Sequence, residues 1–435
     1  MIKLLVFLLL PSFVYANYAE FFGASPQLAA IGNQANNNAY DPSNNVQVPA
    51  ILAFGKKMSI NFFSGLVTHN FEPLSKITTI NSTNSNNSDK SYTESTSLDI
   101  TPSNLLYSGL HLALPLGTPW QSTLGLSIMS PVKSLMNLDS GDPISPEYVL
   151  YNSRNQRFLL YANYAHKLSD KFSFSLGTHM GTQTSGTVNM NTSLGSSSGS
   201  TARTKADVSP SLALISSFYL KEKKWGAYFS YTQEMKSNMK FVTSGRTDIP
   251  PVPYQMTLDT MLFYDPHIFR FGGNYNLGFI NFFGSLEYQI WKNYKTPIMR
   301  VTKKILIESS ANYEQVKTQN IVIPHFGISF DLLDSFSLHN GLTYRPTPLK
   351  GDFSGPGNSV DTSVLIISSG AEYKSRLFDK SFAFTLNAAL HKLFKKEVVK
   401  SKTQENNNSG VKIGAPGYTI GGNLVSLQFG MKIEF

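Results

Sequence analysis

From Lys57 to the C-terminus, apolar side chains recur at every second position, and this alternation constrains the fold more than any other feature of the sequence. Near the C-terminus, Val425, Leu427 and Phe429 point to one side, while Ser426 and Gln428 point to the other. A period of two is typical of β-strands with one apolar and one polar face. We predict fourteen such strands, near residues 57–68, 104–114, 120–129, 157–167, 171–183, 207–220, 224–235, 266–276, 279–291, 321–331, 335–345, 363–374, 381–396 and 422–435.

The connections between the predicted strands alternate between short and long. The long ones are residues 69–103, 130–156, 184–206, 236–265, 292–320, 346–362 and 397–421. Bacterial outer-membrane barrels sort their connections in this way, with short periplasmic turns and long outer loops. Within hydrocarbon every backbone polar group needs a partner, so the sheet must close on itself. We therefore predict an all-β fold, a transmembrane antiparallel β-barrel of about 14 strands over residues 57–435. A secreted all-β adhesin or sandwich is the alternative.

Composition excludes several other classes of protein. Charged residues make up 15% of the 435 residues, against about 25% in soluble proteins. No cysteine is present, so disulfide scaffolds, Cys-ligated metals and Cys nucleophiles are excluded. The net charge of +9 comes from scattered Lys and Arg, which does not indicate a nucleic-acid partner. No nucleophile elbow, zinc-protease motif or phosphate-binding loop occurs, so we predict no enzyme, no catalytic residue, no metal and no cofactor. A Ser-His hydrolase inside the barrel is the alternative.

Two segments precede the first predicted strand. Residues 1–16 combine Lys3, an apolar run and a small-residue cleavage site, which predicts a secretory signal peptide. Residues 17–56 do not alternate and are rich in Gly, Asn and Pro. A fourteen-stranded barrel is wide enough to need filling. We predict that residues 17–56 form an N-terminal plug, or hatch, inside the periplasmic end of the barrel; a disordered periplasmic tail is the alternative.

Several segments, in order, resemble the outer-membrane long-chain fatty-acid transporter family (FadL-like, including aromatic-hydrocarbon transporters). The small residues of Gly23–Gly32 resemble the opening of that family's plug, and Asn45–Ile51 resembles its Asn-Pro-Ala plug motif, with Val48 in place of an Asn. The segments 229–241, 266–275, 286–291 and 342–348 resemble its strand ends. The resemblance implies a monomeric, plugged barrel that moves hydrophobic molecules inward. It places plug or gating roles on Asn45, Val46, Pro49 and Ala50.

Two of the long loops carry apolar residues that could capture a hydrophobic cargo, since exposed apolar clusters generally serve an interaction. They could equally pack on one another as a lid. The candidate capture residues are Leu135, Met136, Leu138, Phe241, Met256, Met261, Leu262 and Phe263. If the cargo carries a carboxylate, a cation in the lumen should meet it. By strand parity, Arg270 and Arg345 face the lumen and are the polar candidates, and five histidines share that face.

The sequence thus predicts an outer-membrane transporter of long-chain fatty acids or other hydrophobic small molecules, working by gated diffusion. A general diffusion porin, or a structural or surface-interaction barrel, is the alternative. The expected partners are the hydrophobic cargo, outer-membrane lipid and the barrel assembly machinery of a Gram-negative cell. The terminal Phe435 on an alternating strand resembles the signal which that machinery reads.

Overall fold

A computed structural model describes most of the chain. The described residues are 18–81, 92–117, 121–132, 147–148, 150–151, 157–181, 190–193, 201–208, 211–248, 251–296, 300–304, 316–351, 359–377, 379–399, 411–413 and 417–435. The predicted signal peptide lies outside them. Within the described residues, no helix is long and apolar enough to cross a membrane.

Fourteen antiparallel strands form a closed barrel in which each strand pairs with its neighbours in the sequence. The last strand pairs with the first, from Ser59 opposite Glu434 to Phe71 opposite Gly422. The fourteen strands are β1 Ser59–Phe71, β2 Leu105–Pro115, β3 Ser122–Pro131, β4 Leu159–Lys167, β5 Phe172–Gly181, β6 Ser211–Lys221, β7 Trp225–Thr232, β8 His267–Asn276, β9 Ile280–Ile290, β10 Ile321–Leu333, β11 Phe336–Arg345, β12 Val364–Leu377, β13 Lys380–Val399 and β14 Gly417–Glu434. The predicted number and order of strands are confirmed.

The two faces of the barrel wall have opposite polarity, as the alternation in the sequence requires. On β14, Val425, Leu427 and Phe429 are each more than 40% exposed, whereas Ser426 and Gln428 are buried. Similar exposed apolar side chains occur around the whole wall and form an apolar belt. They include Leu66, Leu110, Leu126, Leu176, Leu214, Phe218, Phe271, Leu286, Phe326, Leu342 and Leu386. Exposed side chains of this kind are suited to hydrocarbon, so the barrel spans the outer membrane.

The segment 236–265, expected to be a loop, is instead a β-hairpin that continues the barrel beyond its outer end. Its strands, Met235–Asp248 and Pro251–Asp265, pair antiparallel over their whole length. They form a five-stranded sheet with Met190–Ser193, Thr201–Val208 and Arg300–Lys304. The expectation failed because the same period-two pattern continues past β7 with weaker contrast. Pairing of the strands satisfies the backbone groups that an irregular loop would leave open.

Short strands add to the outer end of the barrel. Leu74–Asn81 lies between Tyr92–Leu98 and Val411–Ile413 in a three-stranded sheet. Glu147–Tyr148 pairs in parallel with Ser359–Val360, and Lys317–Thr318 pairs with Leu349–Lys350. These pairings join connections that are distant in the sequence, so the outer end is a layer of interlocked segments.

Four short helices precede β1. Helix α1 spans Tyr18–Phe22 and α2 spans Pro26–Ala30. Ser25 caps α2 by accepting a hydrogen bond from the Leu28 amide at 3.3 Å, and Pro26 takes a first-turn position where no amide donor is needed. Two 3₁₀ helices follow, Pro42–Val46 and Pro49–Phe54. Almost all residues from 22 to 53 are shielded from solvent, because this segment lies inside the barrel.

Candidate functional site

Residues 18–54, called the plug below, lie inside the lumen, and all of them except helix α1 fill its polar part nearest the periplasm. Small hydroxyl and amide side chains dominate its inward-facing positions. They include Thr123, Ser127, Asn163, Ser173, Ser175, Ser217, Ser329, Ser337, Ser368, Asn387 and Ser426. Such side chains can hydrogen-bond the backbone of a segment that has little regular structure of its own. The strands thereby hold the plug in a fixed place.

Asn45, predicted as a plug residue, anchors the plug to two strands. Its side-chain amide donates to Ser127 Oγ at 2.9 Å. Asn163 Nδ2 donates in turn to both the backbone carbonyl and Oδ1 of Asn45, each at 3.0 Å. Gly125 leaves room for this contact, since a side chain there would collide with the Asn45 amide. Asn45 is therefore fully buried and has well-defined partners.

The other predicted plug residues are also buried in the lumen. The Ala50 amide donates to Ser217 Oγ at 3.0 Å, and the Ala50 carbonyl accepts from Ser173 Oγ at 2.7 Å. Pro49 begins the second 3₁₀ helix, ten residues before the start of β1 at Ser59, so it does not lie at the junction of the plug with the first strand. Val46 packs in the apolar cluster of the upper lumen.

The histidines predicted to face the lumen do so, and two of them bind the plug backbone. His111 lies 2.6 Å from the Ala24 carbonyl oxygen, and His325 lies 2.7 Å from that of Gly32. His339 is paired with Ser329 at 2.7 Å. His391 meets the ring of Phe22 edge-on at 5.4 Å between centroids. Among the described residues, no group of three or more His, Asp or Glu is arranged to hold a metal ion.

Toward the outer mouth, many inward-facing side chains are apolar. Strand positions nearer the outer end than the polar ones carry large buried hydrophobic groups. They are Val67, Leu105, Tyr107, Met129, Leu159, Tyr161, Ile215, Ile321, Ile323, Val364, Leu393 and Leu424. We call this region the apolar chamber. The lumen therefore has a polar inner part and an outer part in which apolar side chains lie beside buried charged groups such as Arg157, Arg270 and Arg345.

Helix α1 of the plug fills the apolar chamber. Phe22 lies 6.3 Å from Tyr107 between ring centroids, and Phe21 lies 5.9 Å from Tyr151. Tyr151 comes from an outer connection and is 5% exposed. It packs on Phe71 at 5.7 Å, so the mouth is closed by aromatic rings from three parts of the chain. Phe21 and Phe22 cannot be predicted from the sequence, because a five-residue helix is too short to show a periodic pattern.

Arg270, predicted as a lumen residue, is fully engaged by carboxylates. Its Nε donates to Glu287 at 2.7 Å, and its Nη2 donates to Glu20 of helix α1 at 2.8 Å. Thr232 accepts a third hydrogen bond at 3.3 Å. All of these groups lie inside the barrel. Arg270 therefore links the plug to strands β8 and β9.

Arg345, the second predicted lumen residue, is engaged on one side only. Its Nη2 contacts the Tyr151 hydroxyl at 3.2 Å and Asp361 at 3.3 Å. Its guanidinium also lies over the Phe21 ring, 5.2 Å from the centroid. Its Nε and Nη1 are buried without a hydrogen-bond partner among the described residues. Arg345 thus presents two free donors beside the apolar chamber.

The predicted capture residues fall into three groups. Leu135, Met136 and Leu138 lie outside the described residues. Phe241, Met256 and Leu262 lie on the hairpin strands, and their side chains are not described.

Met261 and Phe263 are buried at the base of the same hairpin. Phe263 packs under the guanidinium of Arg157, at 3.8 Å from the ring centroid. Arg157 in turn pairs with Asp265. The role of all these residues in capture stays a prediction.

A closed barrel with an apolar outer belt, a plugged lumen and an apolar chamber at its outer mouth defines a plugged outer-membrane β-barrel. Solved structures share this fold over nearly the whole chain. A Pseudomonas aeruginosa FadL homologue is 12% identical, with a TM-score of 0.59 and 98% of each chain covered. The Pseudomonas putida toluene transporter TodX is 9% identical, with a TM-score of 0.54 and coverage of 94% of this chain and 98% of the other.

The monoaromatic hydrocarbon channel CymD is 10% identical, with a TM-score of 0.52 and coverage of 97% of this chain and 99% of the other. The chain therefore has the FadL-like fold that its sequence resembles. No protein-family model matches the sequence, and a comparison with curated proteins finds no match.

Proposed function

We propose that this protein admits hydrophobic small molecules through the outer membrane by diffusion along its lumen. The apolar chamber is the observation that carries this proposal. A barrel that passes polar solutes needs a wet, polar lumen, whereas buried aliphatic and aromatic side chains line much of the outer half of this one, and the charged groups there are paired inside the barrel. Proteins of the same fold are described as a toluene transporter and a monoaromatic hydrocarbon channel, which supports a hydrophobic cargo.

Gating in this proposal belongs to helix α1. Phe21 and Phe22 occupy the space that an apolar cargo would fill. A cargo that displaces them exchanges one set of apolar contacts for another, so the chamber stays dry while the plug moves. The process needs no cofactor, and we propose that the protein catalyses no reaction.

For fatty acids in particular, we propose that the carboxylate binds Arg345. Arg270 already has two carboxylate partners, so a third would add repulsion. Arg345 has one carboxylate partner and two free donors beside the chamber. The free Nε and Nη1 point in different directions, so we propose that the cargo carboxylate accepts a single charge-assisted hydrogen bond from one of them.

The transport proposal is tested by reconstituting the full chain in lipid vesicles and in planar bilayers. We expect the intact protein to speed uptake of a fluorescent hydrophobic probe and to show little ion conductance, because the plug fills the polar lumen. A large and stable ion conductance without probe uptake would support the general porin instead. Phe22→Ala should change the uptake rate, and Thr68→Leu on the outer face of β1 is the matched control.

The carboxylate proposal is tested with a fatty acid and its methyl ester of equal chain length. We expect wild-type protein to bind the acid more tightly, by roughly tenfold, since hydrogen bonds to charged groups contribute about 1.5–3 kcal/mol. Arg345→Gln should remove the difference and leave ester binding unchanged. Equal binding of acid and ester by the wild type would reject Arg345 as the carboxylate site and leave hydrophobic transport intact.

A further inference from the structure

The lipid-facing wall of the barrel carries a large groove of about 770 Å³. Gly273 and Gly284 form its floor and are direct cross-strand partners on β8 and β9. No atom lies within 4 Å of the position that a Gly284 side chain would take, so the floor is open on its outer side. The groove crosses several strands, passes Phe326 and Leu342, and ends beside Ile367.

Three aromatic side chains that border this groove point away from the lumen. Tyr275, Phe282 and Phe326 are 44%, 42% and 63% exposed. They belong to the apolar belt, so the groove is continuous with the surface that contacts hydrocarbon. A membrane has acyl chains to fill it, and an unfilled groove would cost the contacts that its walls could make.

The groove opens next to a basic turn at the periplasmic rim. Trp225 lies directly opposite Tyr275, the first aromatic residue of the groove border. The turn before Trp225 contains Lys223 and Lys224, and both are exposed. It is fixed beside the end of β8, because the Asn276 amide donates to the Lys224 carbonyl at 2.6 Å.

The two lysines are not neutralised by the acidic residue of their own turn. Glu222 pairs with Lys171 on the neighbouring turn, at 2.7 Å. Trp side chains favour the level of the lipid headgroups, and Trp225 therefore sets the depth of Lys223 and Lys224. Positive charge at this level attracts anionic headgroups, and the apolar groove begins immediately above it.

We propose that the groove and the basic turn together bind one anionic phospholipid of the inner leaflet, with an acyl chain on Gly273 and Gly284 and its phosphate at Lys223 and Lys224. The two lysines favour an anionic headgroup, and the groove fits an acyl chain better than a bulky protein surface. Behind the groove, Gly327 and Gly341 contact Ile31 and Gly32 of the plug. The lipid thus lies one backbone layer from the plug.

Native mass spectrometry of the purified full chain tests this site. The protein is mixed with equal amounts of phosphatidylglycerol and phosphatidylcholine that carry the same acyl chains. We expect the wild type to retain phosphatidylglycerol preferentially. The Lys223→Gln/Lys224→Gln variant should lose that preference by about fivefold for each lysine removed. Lys292→Gln/Lys350→Gln, with the same charge change at the outer end, should behave as the wild type.

A second variant tests the groove itself. Gly284→Leu fills the floor without a collision and should reduce retention of both lipids, whereas Thr68→Leu on the opposite wall should not. The proposal is overturned if the wild type retains both lipids equally, or if Gly284→Leu retains lipid as Thr68→Leu does. If Gly284→Leu retains lipid but loses a dimer that the wild type forms, the groove binds a second copy of the chain and the proposal is also overturned.

Discussion

Single residues of the barrel wall hold the plug by satisfying its backbone. The lumen offers hydroxyl, amide and imidazole groups wherever the plug exposes a carbonyl or an amide, as at Ala24, Gly32 and Ala50. Each such hydrogen bond contributes modestly, about 1 kcal/mol, but leaving its buried partner unpaired costs more. The plug is therefore held in the docked state, but by hydrogen bonds that are each weak enough for it to move.

Glu20 makes the docking of helix α1 sensitive to pH. Burial raises the pKa of Glu20 to about 7; Arg270 opposes this shift, while Glu287 and Asp265 add to it. Undocked, the carboxyl would return toward its ordinary value of 4.5. The docked state then binds the proton more tightly, so docking is most stable below about pH 4.5 and weakens as the pH rises to about 7.

Hydrogen exchange of residues 18–22, corrected for the intrinsic pH dependence, measures this effect. We expect a higher opening free energy at pH 5 than at pH 8 in the wild type and a flat profile in Glu20→Gln. Glu397→Gln, which changes an exposed carboxylate, is the control. Asp265 has its own partners, Arg157 and His179. If Glu20→Gln keeps the wild-type profile, one of these groups controls the docking instead.

At the level of elements, alternation was enough to locate every barrel strand, including the fourth and the twelfth, where it is weakest. β11, predicted over 335–345, spans Phe336–Arg345. The hairpin of 235–265 was missed because its period-two pattern has weaker contrast than that of the barrel strands. The lumen-facing side of residues such as His111 could be predicted from their odd or even position along the strand. The partners of Arg270 and Arg345 could not be predicted, because Glu20 and Asp361 are brought to them by short segments with no period.

The plug is an element that the barrel does not need for closure. Every barrel strand pairs with two other strands, and none pairs with residues 18–54. We expect deletion of residues 17–44 to leave an assembled barrel with increased conductance to ions and small polar solutes. Planar-bilayer recordings measure this change. Unchanged conductance and unchanged cargo uptake would mean that the segment does not gate the lumen.

At the level of the whole molecule, the apolar belt sets the position of the barrel in the membrane. Leu386 and Leu377 are 59% and 54% exposed, so they differ mainly in depth. Leu386 lies in the middle of β13, whereas Leu377 ends β12 at the periplasmic rim. Substitution of each residue by Arg therefore removes a similar amount of apolar contact at two different depths in the membrane.

We expect Leu386→Arg to reduce the free energy of folding into lipid vesicles by about 2–4 kcal/mol and Leu377→Arg by about 0–1 kcal/mol. Reversible denaturant titrations in vesicles measure both values. The difference arises because an Arg at mid-depth must leave water, while one at the rim reaches the headgroups. Equal costs at the two positions would place the hydrocarbon boundary elsewhere on the wall.

The pairing of the first strand with the last has a consequence for how the molecule is made. The seam joins Ser59 to Glu434, so its contacts are among the most distant in the sequence that a chain of this length can form. Contacts between distant residues form slowly. Until β14 arrives, β1 and β13 remain open edges that can add strands from other chains. Any change that delays β14 is therefore expected to appear first as aggregation during synthesis, before it alters the finished barrel.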